Sequence, residues 1–296
     1  MSENRLSRRQ VLTSALAGAA AATILPNLSP FTSIAHAAEE IEAYATKGNI
    51  HQSVSKWCFG KVPLKELCAA CKKIGMVGID LLGPDDWDTM LQEEMVVTMG
   101  NVPGAGIPVG FNKVQHHDKL VEAYEKFIPL AAEKKVPNLI CFSGNREGTP
   151  DEEGIENCVK GLARITPLAE KHKVTLCMEL LNSRGHKDYH ADHTVWGAAI
   201  ARKLGSDRFK LLYDIYHMQI MEGNIIDTIK EYKDVIGHYH TGGNPGRADL
   251  DEHQEIFYPP IMKAILATGY KGYVAHEFIP KKGLASLRQA VVVCDV

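Results

Sequence analysis

Val174-Thr-Leu-Cys-Met-Glu179 is a short apolar run closed by a carboxylate, and the second half of the chain repeats that plan three more times. Lys210-Leu-Leu-Tyr-Asp214, Ile236-Gly-His-Tyr-His240 and Tyr273-Val-Ala-His-Glu277 are each strand-like, and each ends in a residue that binds hard or borderline metals. Helical patterns separate the four at intervals expected of βα units. Parallel strands joined by crossover helices carry their C-terminal ends to one face, so Glu179, Asp214, His240 and Glu277 are expected to converge there. Three carboxylates and an imidazole form an oxygen-rich site that suits Mg²⁺ or Mn²⁺ better than a structural zinc. One carboxylate on an apolar strand is readily explained as a salt-bridged structural residue. Four at equivalent strand ends are harder to explain that way, because unpaired buried charges are costly.

Outward from these runs, eight strands can be counted: Ile50 to Ser55, Val77 to Leu82, Met95 to Met99, Asn138 to Phe142, Val174 to Leu181, Lys210 to Ile215, Ile236 to Thr241 and Tyr273 to Phe278. Helical periodicity is clear over Leu64 to Ile74, Lys119 to Lys134, Gly154 to His172, Thr194 to Leu204, Ile225 to Tyr232 and Ile261 to Thr268. Gly75, Gly205 and Gly269 follow the last periodic residue of three of them, where glycine ends a helix at little steric cost. This alternation predicts an α/β fold, a (β/α)8 TIM barrel in one domain. Gly100 to Asp118 is rich in Gly and Pro without periodicity, and is expected to be a long loop over the barrel mouth.

The N-terminus reads Ser7-Arg8-Arg9-Gln10-Val11-Leu12, then an apolar stretch to Leu25, then Ala35-His36-Ala37 before Glu39-Glu40. It resembles a twin-arginine export signal with an A-x-A cleavage site. The stretch is Ala- and Thr-rich and shorter than the roughly 18 strongly apolar residues of a membrane span. The expected organisation is therefore a signal over residues 1–37 and a catalytic barrel over residues 38–296, with the twin-arginine export machinery as a partner and a periplasmic or extracellular destination. A formal charge of -3 without a long basic run argues against a nucleic-acid partner. Seven cysteines leave an odd thiol. Substrates of that export route normally fold before crossing, so buried reduced thiols are consistent with it. Cys68-Ala-Ala-Cys71 lies inside a helical pattern and is expected to face the core, not to carry redox chemistry.

The stretch Tyr213-Asp-Ile-Tyr-His217-Met-Gln-Ile-Met-Glu-Gly223 resembles the D-x-Y-H-M-Q-x-M-E-G signature of hydroxypyruvate isomerase and its relatives in the xylose-isomerase-like TIM-barrel superfamily. Glu179-Leu-Leu-Asn182, Ile236-Gly-His238, Pro245-Gly-Arg247 with Glu255-Ile-Phe-Tyr258, and Gly272-Tyr-Val-Ala-His-Glu277-Phe with Pro280 resemble further blocks of that family in the same order. The likeness runs from about Ile50 onward. It implies that Glu179, Asp214, His240 and Glu277 hold one divalent metal, with Glu179 and Glu277 as the catalytic proton-transfer pair and no organic cofactor. It also implies that His217 and Arg247 bind substrate. His238, two residues from His240 on the same strand face, is expected to buttress a ligating residue, with substrate binding as the other reading, and Arg146, in Ser143-Gly-Asn-Arg146 after the fourth strand, is a weaker substrate-side candidate. The substrate so implied is a small sugar or hydroxyketo acid, and relatives of this kind often assemble as dimers or tetramers.

The chain departs from the hydroxypyruvate isomerase pattern at His240, where the family has glutamine, at Leu180 in place of proline, and at Thr241-Gly-Gly243. His240 resembles the ketose 3-epimerase branch, and an exported location favours a sugar or oxidised sugar derivative. The expectation is a metal-dependent isomerase that interconverts a hydroxyketone and a hydroxyaldehyde through an enediolate. Alternatives are an epimerase or keto-sugar lyase with the same site, or an exported carbohydrate-binding protein without turnover. An endonuclease would need more histidines and a basic groove.

Overall fold

The computed structural model describes residues 41–296; the export signal expected over residues 1–37 and its cleavage site lie outside them. Eight parallel strands close on themselves in sequence order, with β1 (His51–Ser55) hydrogen-bonded to both β2 (Gly78–Leu82) and β8 (Tyr273–His276). Between these run β3 (Val96–Gly100), β4 (Asn138–Cys141), β5 (Thr175–Glu179), β6 (Phe209–Asp214) and β7 (Ile236–Thr241). The expected TIM barrel is what the chain builds, and the expected strands agree with the observed ones to within two residues at nearly every end.

The helices follow their local signals. They are α1 (Leu64–Lys73), α2 (Pro84–Gln92), α3 (His117–Glu133), α4 (Asp151–Leu162), α5 (Thr166–His172), α6 (Thr194–Leu204), α7 (Ile215–Met221), α8 (Ile225–Glu231), α9 (Tyr258–Ala267) and α10 (Leu284–Cys294). The single helix expected over Gly154 to His172 is two, because Pro167 lacks the N–H an uninterrupted helix would use and instead opens α5. Asp151, Glu152 and Glu153 start α4 three residues earlier than expected, where carboxylates favour the positive end of the helix. Gly75, Gly205 and Gly269 do adopt positive φ, at 76°, 62° and 83°. The loop expected over Gly100 to Asp118 is shorter, since a 3-10 turn at Val114–His116 leads straight into α3.

Two apolar clusters result. The larger lies between strands and helices; the smaller comprises Met99, Ile140, Cys177 and Leu212, one from each of β3 to β6, with Leu81 and Phe142 packed against it. Alternation along a strand places residues two apart on the same face. Cys177 and Leu212 therefore form part of an apolar layer directly beneath Glu179 and Asp214, as side-chain layers fill a barrel of this kind. All seven cysteines are unpaired thiols, six of them buried. Cys68 and Cys71 face the core of α1, where burial pushes Cys68 up to about 11 and Cys71 higher still, as befits inert thiols. Among the described residues no helix is long and apolar enough to cross a membrane.

Candidate active site and metal centre

The four strand-end residues meet. One ligand atom each from Glu179, Asp214, His240 and Glu277 lies within 4.8 Å of all the others, and the four residues are buried. From His240 Nδ1 the distances are 2.5 Å to Glu277 Oε2, 3.5 Å to Glu179 Oε1 and 3.9 Å to Asp214 Oδ2.

Local structure aims each group. Asp214 ends β6 and caps α7: its Oδ1 accepts the His217 backbone N–H at 3.1 Å, which leaves Oδ2 for the site. Glu277 is divided in the same way, with Oε1 accepting the Trp57 indole N–H at 2.5 Å while Oε2 faces His240. His217 lies in the first turn of α7, and its Nδ1 accepts the backbone N–H of Asn182 at 3.0 Å. A backbone N–H can only donate, so the proton of neutral His217 sits on Nε2, which is buried, 3.6 Å from Asp214 Oδ2 and otherwise without a partner. Burial pushes the His217 imidazole down to about 4, so it enters the site as a neutral donor. Arg247 Nη2 reaches Glu277 Oε2 at 2.6 Å and Asp214 Oδ2 at 3.0 Å, its guanidinium flanked by the Trp57 and Tyr216 rings at 5.3 and 5.6 Å.

The two glutamates are driven apart. Burial holds the Glu179 carboxyl up to about 7. Burial acts on Glu277 in the same direction but is overcome by the charges of His240 and Arg247, which bring it down to about 2. Paired carboxylates with opposed shifts are the usual mark of divided acid and base roles. His240 is pulled down by burial yet held well above the ordinary imidazole value by Glu277, Asp80 and Glu179.

These residues fit a divalent metal. His240 Nδ1 and Glu277 Oε2 approach to 2.5 Å, yet both are buried polar atoms without a hydrogen-bond partner, which a bound ion between them would satisfy. Three carboxylates with one imidazole are donors for a hard, oxygen-preferring ion.

Two expected substrate residues are elsewhere. Arg146 turns away to Asp151 at the start of α4 and lies 3.9 Å from Asp192, in a separate surface depression with His193 and Trp196. The acidic first turn of α4 draws the guanidinium off the barrel mouth. His238 faces the barrel interior without any exposure, its Nε2 3.2 Å from Asp80 Oδ1 and below the layer of the ligands. None of its surface opens on the cavity. The sequence reading missed Asp80, Trp57 and His186. Asp80 carried the same signal as the ligands, a carboxylate in the apolar Gly78-Ile-Asp-Leu-Leu82, but in mid-strand; Trp57 and His186 carried none. Above the four strand-end residues the cavity is walled by Trp57, Leu81, Ile107, Ile140, Phe142 and Leu181, with Asn101 and His186 adding polar edges.

A family model described as the xylose isomerase-like TIM barrel matches residues 60–291. The chain belongs to that xylose isomerase-like TIM-barrel family. Among its relatives, the hydroxypyruvate isomerase of Escherichia coli is 26% identical over 230 residues, covering 73% of this chain and 86% of the relative. A 2-oxo-tetronate isomerase of Cupriavidus necator is 30% identical over 128 residues, covering 43% of this chain and 49% of the relative. Human and fruit-fly relatives are likewise matched over only 45% and 39% of their lengths. A crystal structure of a family 2 AP endonuclease from Brucella melitensis superposes with a TM-score of 0.71 at 21% identity, over 83% of this chain and 97% of that one, a likeness of fold.

Proposed function

We propose that this barrel is a divalent-metal-dependent isomerase that moves a proton between neighbouring carbons of a small hydroxyketone or hydroxyketo acid, through an enediolate. The observation that carries the reading is the opposed pair Glu179 and Glu277 across a common centre with His240 and Asp214. The E. coli relative named hydroxypyruvate isomerase supports the reaction class.

Glu179, Asp214, His240 and Glu277 would hold the ion. When bound, a divalent cation supplies a Lewis acid that polarises the substrate carbonyl and offsets the negative charge developing on its oxygens. The chain's own residues do the rest. One glutamate removes the proton from the hydroxyl-bearing carbon beside the carbonyl, and the bonding pair becomes the carbon–carbon double bond of the enediolate. Glu277, kept ionised, suits the base. Glu179, whose proton is held near neutral pH, suits the group that returns a proton to the neighbouring carbon. A shift of the remaining proton between the two oxygens completes the isomer without any external oxidant. His217 Nε2–H is placed to donate to a substrate oxygen, and Arg247 to hold a carboxylate or hydroxyl beside the two glutamates. Trp57 and the apolar wall of Leu81, Ile107 and Phe142 limit water at the reacting carbon.

Return of the proton to the same carbon on the opposite face would make the protein an epimerase, and His240 in place of the isomerases' glutamine favours that second reading. Product analysis separates the two. Mn²⁺-loaded protein incubated with hydroxypyruvate and with simple ketoses, followed by NMR, should give the aldehyde isomer from an isomerase and a stereoisomer of the same ketose from an epimerase. Glu277→Gln should lower turnover by roughly 10²–10⁴-fold, the usual contribution of a positioned acid–base group. Equal turnover in that variant would sink the assignment.

A further inference from the structure

Beneath the proposed metal-binding residues lies a second, wholly buried group that the proton-transfer chemistry does not use: Asp80, His238 and His240, whose ligand atoms also lie within 4.8 Å of one another. Asp80 is 0% exposed, and its two oxygens are divided between two strand-7 histidines, Oδ2 at 2.8 Å from His240 Nε2 and Oδ1 at 3.2 Å from His238 Nε2. It reaches them because β2 breaks register with β3 on either side of it, between Ile79 and Asp80 and again between Asp80 and Leu82. Leu81, the next residue, sits at φ 55°, a left-handed conformation that costs a leucine roughly 1–2 kcal/mol. A bulge of this sort re-aims a side chain, and strain of this sort persists where surrounding structure enforces it.

The carboxylate is also held from the far side. Thr98 Oγ1 lies 2.5 Å from Asp80 Oδ1 and 2.9 Å from Ser53 Oγ. An ionised carboxylate only accepts, so the threonine proton goes to Asp80 and the serine proton to the threonine. The chain Ser53 to Thr98 to Asp80 thus crosses from β1 through β3 to β2 and ends on His240.

We infer that Asp80 is a positioning residue for the metal centre: by accepting the Nε2–H of His240, it fixes that ring's tautomer and rotation so that Nδ1 presents its lone pair among Glu179, Asp214 and Glu277. A ligating imidazole must offer a lone pair, and its other nitrogen is then the donor that a carboxylate can anchor. The inference rests on the metal reading of the site but not on the reaction assigned to it. Asp80 touches neither metal nor substrate and acts through His240 alone. His238 Nε2 lies beside the carboxylate's other oxygen without an aligned hydrogen bond to it, and Thr98 supplies the donor there.

Two measurements test this, and neither needs a substrate. In the Zn²⁺-loaded wild-type protein with labelled histidine, Zn²⁺ serving as a diamagnetic probe, long-range ¹H–¹⁵N NMR should show His240 protonated at Nε2 and coordinated through Nδ1. In Asp80→Asn, Mn²⁺ affinity followed by the EPR signal of the free ion should fall about 10–100-fold, while the metal-free melting transition remains cooperative. Coordination through Nε2 in the wild type would overturn the inference, as would wild-type Mn²⁺ affinity in Asp80→Asn. Should that variant fail to fold, the wild-type tautomer decides alone. Wild-type protein that binds no Mn²⁺ would contradict the proposed function itself, an outcome distinct from either.

Discussion

Asp214 serves two neighbours at once, capping α7 with one oxygen and facing the other strand-end residues with the other, and Glu277 is divided likewise between Trp57 and His240. This economy is why the strand-end residues were legible from sequence: carboxylates closing apolar strands have few structural uses that satisfy both oxygens. His238 shares the face of the four residues, as strand alternation predicts, but lies deeper, because alternation fixes the face and not the depth. Arg146 was misplaced because nothing in its local sequence declares which acid it will meet. His276 shows a polar residue whose role is purely structural. Its Nε2 donates to Gln52 Oε1 at 2.8 Å, its Nδ1 lies 2.9 Å from Thr241 Oγ1, and burial pushes the ring down to about 3. In the unfolded chain the same ring titrates near 6.5. Above that pH both states are neutral and its contribution is complete; as pH falls toward 3, only the unfolded chain takes the proton, and stability is lost. The loss is at most about 1.4 kcal/mol per pH unit. Denaturant midpoints measured from pH 7.5 to 4.5 should therefore fall more steeply for the wild type than for His276→Gln; parallel curves would show that this ring does not govern the acid limb.

At the scale of elements, the strands were legible and several helices were not. Strand segments here are short apolar runs closed by turn residues, so their ends are punctuated. The segment α10 contains Val291-Val-Val293, a β-branched run that argues for a strand, and it is helical because its face packs against the barrel. The short α2 and α7 take their start from Pro84 and from the Asp214 cap, single residues that a periodicity count passes over. Close approach of strands leaves its own mark at Gly78, where an added Cβ would lie 2.4 Å from the Val96 carbonyl oxygen of β3. The neighbour is backbone and cannot step aside. Gly78→Ala should destabilise the barrel by about 1–3 kcal/mol and lower its melting temperature by several degrees, read by circular dichroism. An unchanged melting temperature would mean that β2 and β3 pair differently.

For the whole molecule, the barrel assembles the site by topology: ligands far apart in sequence meet because parallel strands end on one face. That made both the fold and the convergence of the four residues legible in the sequence. The cavity wall was not readable, since it draws on loop residues such as Trp57 and Ile107, whose direction depends on the assembled barrel. Export is a separate proposal for the intact chain, drawn from Arg8-Arg9 and Ala35-His36-Ala37. Expressed in a bacterium with an active twin-arginine pathway, the protein should be recovered outside the cytoplasm with Ala38 as its first residue by N-terminal sequencing; Arg8→Lys with Arg9→Lys should retain it inside, and a full-length cytoplasmic product from the unaltered chain would refute the proposal. The central claim, that Glu179 and Glu277 transfer a substrate proton across one centre, is tested most directly by hydrogen exchange at carbon. Metal-loaded protein in deuterated buffer with hydroxypyruvate and a panel of ketoses should introduce deuterium at the carbon beside the carbonyl, and Glu277→Gln should abolish the uptake. Product formation with no solvent deuterium at that carbon, or uptake undiminished in the variant, would contradict it.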